Sequence, residues 1–183
     1  MMPNLQPTQL QNEFITLHPL QAGDFEVLYK VASDPLLWEQ HPNPDRYKRE
    51  VFLNFFNGAM DSGGAFLVRD AKTQEVIGSS RFYDYNPENR TIAIGYTFLA
   101  RDHWGGKYNP ALKSLMLHYA FTFVDVVELH VGSNNIRSQT AVMRLGAKKI
   151  NEVEVAYYGE APKLNFIFRI DKAEWQKSNP IAG

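Results

Sequence analysis

The chain has 183 residues, a net charge of −1 and no cysteine. That length suits one domain with a real core, and the missing cysteine excludes disulfides, thiolate metal sites and a cysteine nucleophile. The near-neutral balance argues against nucleic acid or an anionic membrane as main partner, because both reward a strong positive patch.

Residues 1–12, "MMPNLQPTQLQN", lack the basic-then-apolar pattern of a secretory signal and are expected to form a flexible N-terminus. No apolar run approaches the ~18 residues of a membrane span, so the expected location is the cytoplasm. Residues 14–20, "FITLHPL", read as a short edge strand ended by Pro19. Residues 21–35 read as a helix, with Phe25, Leu28, Tyr29 and Ala32 at helical spacing and Asp34-Pro35 as its stop. A loop, "LLWEQHPNP", leads to a second helix over residues 45–60, with Val51, Phe52, Phe55 and Phe56 as its apolar stripe. The period then changes to two. Strands are expected at 65–70, 75–85 and 91–100, joined by "AKTQ" and "NPEN" turns as an antiparallel meander. A helix follows at 110–123, a strand at 126–131 and a helix at 135–145 with Gly146 past its end. Strands within 147–158 and 163–171 and a helical turn at 172–175 complete the chain. A meander that feeds a helical crossover implies one α/β (α+β) domain. Its sheet is mixed, mostly antiparallel and of about seven strands, with helices on both faces.

The stretch "RDHWGGKYNPALK" sits at the head of the 110–123 helix. Asn109 reads as the N-cap and Pro110 as the first helical residue. Gly105 and Gly106 allow close backbone approach, the helix start carries partial positive charge, and Lys107 adds a full one. Two readings follow: a plain turn into a capped helix, or a bed for phosphate. Neither the P-loop spacing nor the dinucleotide fingerprint G-x-G-x-x-G is present.

Three spaced segments decide between these readings. They are I-G-Y at 94–96, W-G-x-x-x-N-x-x-x-K at 104–113, and N-x-x-S followed by R-L-G-A across 135–147. In this order they resemble the GNAT superfamily of N-acetyltransferases, closest to the branch that includes ribosomal-protein N-terminal acetyltransferases, over about residues 14–175. The resemblance implies an acetyl-CoA cosubstrate, and no metal is expected, because no metal-ligand cluster appears at useful spacing. The pantetheine arm would lie on the main chain of Phe98, Leu99 and Ala100. The pyrophosphate would lie on Trp104, Gly105, Gly106, Lys107, Tyr108 and Asn109. Lys113, Asn135 and Ser138 match further cofactor-contacting positions. Ala93 and Val142 stand where many members carry a glutamate and a tyrosine, so two familiar catalytic groups are absent.

Acetyl transfer needs an amine stripped of a proton, a held oxyanion and a protonated thiolate. His130, at a strand end five residues before Asn135, is the preferred base, since imidazole titrates near working pH. Tyr158, with its neighbour Tyr157, falls where a loop would cover the acceptor and could protonate the thiolate. Glu39 and His41 border the same region, His103 lies near the expected phosphates, and His118 reads as structural. The expected activity is acetyl transfer to a primary amine, either a protein N-terminus or a small molecule. The alternative is an acyl-CoA-binding sensor or docking module of the same fold. Nucleic acid and membrane are not expected as partners, and a homodimer is left open.

Overall fold

The computed structural model describes residues 1–180. Eight strands form one sheet: β1 (Leu10–Gln11), β2 (Ile15–Pro19), β3 (Ala65–Asp70), β4 (Val76–Asn86), β5 (Thr91–Leu99), β6 (Val126–Gly132), β7 (Lys148–Val155) and β8 (Lys163–Asp171). Their spatial order is β1-β2-β3-β4-β5-β6-β8-β7. Every neighbouring pair is antiparallel except β5–β6, which is parallel. The eighth strand is the two-residue β1, inside the segment expected to be loose. That segment is held down: the Gln6 amide donates to the Ala65 carbonyl at 2.6 Å and the Tyr119 hydroxyl to the Asn4 carbonyl at 2.5 Å.

Five helices cover the two faces: α1 (Phe25–Ala32), α2 (Arg49–Ser62), α3 (Tyr108–Ala120), α4 (Ile136–Arg144) and α5 (Lys172–Ser178). The first two start later than the hydrophobic spacing alone suggests. Short 3-10 turns at Ala22–Asp24 and Pro44–Tyr47 take up the residues in front of them. Phe25, Leu28, Phe52, Phe55 and Phe56 pack with Leu67 and Phe98 on one face of the sheet. Leu112, Met116, Leu117, Val142 and Trp175 pack with Phe66, Phe82, Val127 and Phe168 on the other. The sheet is thus apolar on both sides, as a layered α/β arrangement requires.

Helix α3 begins at Tyr108, with Lys107 in the cap position. The reading of Asn109 as N-cap and Pro110 as first helical residue is therefore corrected. A proline fits anywhere in the first turn, because those N–H groups lack intrahelical acceptors in any case, so it does not mark the first residue. At α4 Asn135 is the cap, and its side-chain oxygen accepts from the Ser138 amide at 3.1 Å.

Two irregularities position the site. In the β4–β5 ladder, Ser79 pairs with Phe98 but Arg81 pairs with Gly95, so Tyr96 and Thr97 together face Ser80 alone. Tyr96 takes a φ of +53° to make this bulge, a conformation costly for a non-glycine residue and concentrated at functional sites. The second is the parting of β5 and β6. They pair only at Thr91–Val126, Ile92–Val127 and Ala93–Glu128, while β6 stays paired with β8 as far as Gly132.

Candidate active site

From Ile94 onward the edge of β5 that faces β6 has no strand partner, and the gap widens into a cleft of about 320 Å³. Ile94 through Leu99 form one wall and Leu129 through Gly132 the other. The head of α3, the first turns of α4 and the segment around His41 close the remaining sides.

At one end lies the turn before α3. Gly105 has a φ of +68°, and a Cβ on Gly105 or Gly106 would meet nothing within 4 Å. The first glycine answers a backbone demand, and the second leaves the turn open toward the cleft. The Trp104 indole N–H donates to the Leu99 carbonyl at 2.8 Å, and the Arg137 guanidinium lies 3.7 Å over the same ring. This stack joins the turn to α4 and adds a cation at the cleft mouth. His103 Nδ1 is buried without a hydrogen-bond partner beside the same turn, so the wall still holds an unclaimed polar atom.

Of the residues expected to hold a cofactor, Phe98, Leu99, Trp104, Gly105, Gly106, Asn109, Lys113, Asn135 and Ser138 line the cleft. Ala100, Lys107 and Tyr108 do not. The Ala100 amide is taken by the Ile77 carbonyl at 2.7 Å, which holds it in the β4 ladder. Lys107 and Tyr108 face a second groove behind the turn, where the Tyr108 hydroxyl donates to Asp70 at 2.5 Å. That bond, with the Thr73 and Lys72 amides, pulls the Asp70 carboxyl down to about 2.

Lys113 is 5% exposed, and its Nζ donates to Thr97 Oγ1 at 2.5 Å, which in turn lies 2.8 Å from Ser80 Oγ. Its amine therefore turns toward β5, beside the wall, rather than toward the turn amides. Burial lowers its pKa to about 7. The unfolded amine titrates near its ordinary value of 10.5. Below pH 7 the native state therefore bears the whole penalty of a buried ammonium, and the penalty shrinks as pH rises toward 10.5. Lys113→Met should accordingly raise the melting temperature, by the equivalent of about 5 kcal/mol at most, with the larger gain at pH 6 and little at pH 10. Thermal melts of both proteins at the two pH values check this.

At the other end, His130 lines the cleft from β6, and its Nε2 lies 3.4 Å from Glu128 Oε2. Glu128 was not singled out from the sequence, although strand spacing of two puts it on the face of His130. Its carboxylate can orient the imidazole and offset a positive charge gained there. Tyr157, not Tyr158, lines the cleft. Tyr158 is half exposed, and its Cβ would press on any side chain at Gly58 of α2. Burial lifts the Tyr157 phenol to about 12, outweighing the opposite pull of the hydrogen bond its hydroxyl donates to the buried Asn165 side chain, so it keeps its proton. His41 lines the cleft and is held neutral, its pKa pulled down to about 3 by burial and then by Arg46 and Arg137. Glu39 is exposed and outside the cleft, and His118 is exposed against Trp175 on the far side of α3. Ala93 and Val142 are buried and apolar and supply no chemistry. Among the described residues no cluster of histidine and carboxylate side chains suits a metal ion, and no helix is long and apolar enough to cross a membrane.

Arg46 also escaped the sequence reading. It is buried and paired in bidentate fashion with Glu160, at 2.9 and 3.0 Å, beneath the rings of Trp38, Phe55 and Tyr157. The partners are 114 residues apart, so no local pattern reveals the pair.

A mixed sheet that parts against an open turn and a helix start is the frame of an enzyme that moves acyl groups to nitrogen. The chain belongs to the acetyltransferase (GNAT) domain family, whose model matches residues 15–148. No curated protein matches the sequence. Among solved structures, it is similar to a GCN5-related N-acetyltransferase from Brucella melitensis. There the TM-score is 0.80 at 18% identity, over 94% of this chain and 82% of that one. A spermidine N-acetyltransferase from Vibrio cholerae, in complex with CoA and spermine, matches with a TM-score of 0.68 at 17% identity, over 90% and 99% of the two chains. Mycobacterium smegmatis RimJ, in complex with CoA-disulfide, matches with a TM-score of 0.69 at 15% identity, over 92% and 85%.

Proposed function

We propose that the cleft binds acetyl-CoA together with a primary amine, a small molecule or a peptide N-terminus, and transfers the acetyl group to the amine nitrogen. The observation that carries this reading is the parting of β5 and β6 beside the Gly105-Gly106 turn, which leaves main-chain groups of β5 open along the cleft. The residues fit the cosubstrate in kind. The open turn, the first-turn amides of α3 and Arg137 suit phosphates, and His103 Nδ1 offers a buried polar contact. The edge of β5 suits an amide-bearing arm laid beside it as an added strand.

Acetyl-CoA supplies an acyl group activated as a thioester. The protein's part is to hold it along Phe98 and Leu99, to present a main-chain N–H to the carbonyl oxygen, and to exclude water. His130, oriented by Glu128, takes the proton from the incoming amine. Tyr157 lines the same cleft with its phenol protonated, and on release from Asn165 its hydroxyl serves as a donor for the departing sulfur. The amine nitrogen gains the acetyl carbon, the carbon–sulfur bond breaks, and the thiol leaves protonated.

Isothermal titration with acetyl-CoA, followed by an assay of thiol release over a panel of amines, tests the reading. Saturable binding and amine-dependent thiol release support it. A protein that takes up no acetyl-CoA at high micromolar concentration would end it.

A further inference from the structure

The acceptor end of the cleft contains no acid of its own. None of the residues that line the cleft is aspartate or glutamate, whereas Arg46, Lys113, Arg137 and Arg144 all do. Arg46 is neutralised by Glu160 from behind. Arg81, on β4, has no such partner. It is 5% exposed, and among the described residues the only hydrogen bond of its guanidinium is a long one, 3.5 Å to the Phe55 carbonyl. Its guanidinium lies 3.6 Å over the ring of Tyr96, the bulge residue that forms part of the cleft wall. Arg46 and Arg81 share the Phe55 ring, at 5.0 and 5.3 Å from its centroid. Two buried guanidinium groups thus flank one ring, and of the two Arg46 is paired with a carboxylate.

A buried, unpaired charge is costly and is retained where a partner arrives. The surroundings define that partner. Tyr83 and Tyr96 stand beside Arg81, and burial holds both phenols above their ordinary pKa, so each remains a hydrogen-bond donor. A guanidinium with flanking phenols suits a carboxylate. It opposes a second ammonium. The titratable and charged groups packed around this end are His41, Arg46, Tyr83, Tyr96, His130, Tyr157 and Glu160, with Glu128 behind His130 and Asp84 next to Tyr83.

We infer that the acceptor amine carries a carboxylate, and that Arg81, acting through the Tyr96 wall, selects it against amides and polyamines. This rests on the proposed function above and names its substrate class. The structure thereby separates this cleft from one suited to a polyamine, whose unreacted end is itself cationic.

The test measures kcat/KM by thiol release for matched acceptors. These are free amino acids against their amides, peptides that begin with aspartate or glutamate against asparagine or glutamine, and spermidine. The expected result is at least a tenfold preference for the carboxylate in one of the first two series, with spermidine the poorest. The series that shows the preference identifies the carboxylate as that of an amino acid or of a peptide side chain. Arg81→Met should abolish the preference through KM and leave the melting temperature equal or higher, because an unpaired buried charge is removed. Arg81→Lys should keep part of the preference. Equal or better turnover of the amide or of spermidine overturns the inference, as does failure to turn over any carboxylate acceptor. A preference that survives Arg81→Met overturns the role of Arg81. A protein that takes no acetyl-CoA removes the proposed function and this inference together, whereas one that binds acetyl-CoA but prefers spermidine removes the inference alone.

Discussion

Replacing His130 with alanine is expected to lower kcat by about 10²–10⁴-fold, the range that a positioned proton acceptor contributes, while the affinity for acetyl-CoA stays unchanged. His130 stands on the β6 wall, with Glu128 at 3.4 Å and the Tyr83 ring packed edge-on at 5.8 Å. Neither contact involves the Gly105-Gly106 turn, which is why binding and turnover should separate. Glu128→Gln keeps the shape and removes the charge that offsets an imidazolium, so its loss should be smaller and should fall on kcat. Thiol release gives the rates and titration calorimetry the affinity. A His130→Ala protein that retains its kcat within twofold on the best acceptor removes the residue from the mechanism. Equal loss of acetyl-CoA affinity instead assigns it to binding.

Glu160→Gln should destabilise the fold by about 3–5 kcal/mol, the usual cost of leaving one half of a buried ion pair without its partner. Arg46 is 3% and Glu160 7% exposed at the side chain, so solvent cannot take the place of the missing charge. For a chain of this length the drop corresponds to a fall in melting temperature of roughly 6–20 °C. The same pair holds the β7–β8 loop, and with it Tyr157, over the cleft, so KM for the acceptor should rise as well. Arg46→Met combined with Glu160→Gln should recover much of the stability, because no unpaired charge remains. Thermal melts of the two variants and the unaltered protein decide the matter. An unchanged melting temperature in the single variant means that the loop is held by its aromatic contacts alone.

Much of this architecture is legible in the amino-acid order. Phe52, Phe55 and Phe56 announce α2 by their spacing, and the short turns between residues 65 and 100 announce the meander. The helical crossover after β5 requires β6 to be parallel to it. The site is legible where its residues are neighbours in sequence, as in the Trp104–Asn109 turn and the Asn135 cap. It is not legible where the contact is set by tertiary packing. Arg46 reaches Glu160 across 114 residues, and Lys113 turns to Thr97 only because β5 passes beneath α3. Tyr157 and Tyr158 are adjacent in the loop just past β7, so the place where that strand ends, rather than any local pattern, decides which of them is delivered to the cleft. The pairing that carries the chain to that loop itself shifts by one residue between Lys149 and Asn151.

The closed end of the V-shaped gap is fastened firmly. Arg90 pairs with Asp125 through two hydrogen bonds, at 2.5 and 3.1 Å, and the Asp125 amide donates to the Arg90 carbonyl at 2.9 Å. Beyond that fastening only three residue pairs stitch the five-strand half to the three-strand half. The molecule is therefore built like a clothes-peg, hinged at residues 90–93 and 125–128, with jaws that share no rungs. A guest laid along β5 takes up an unclaimed strand edge and displaces no ladder bond, so each half keeps its own framework intact.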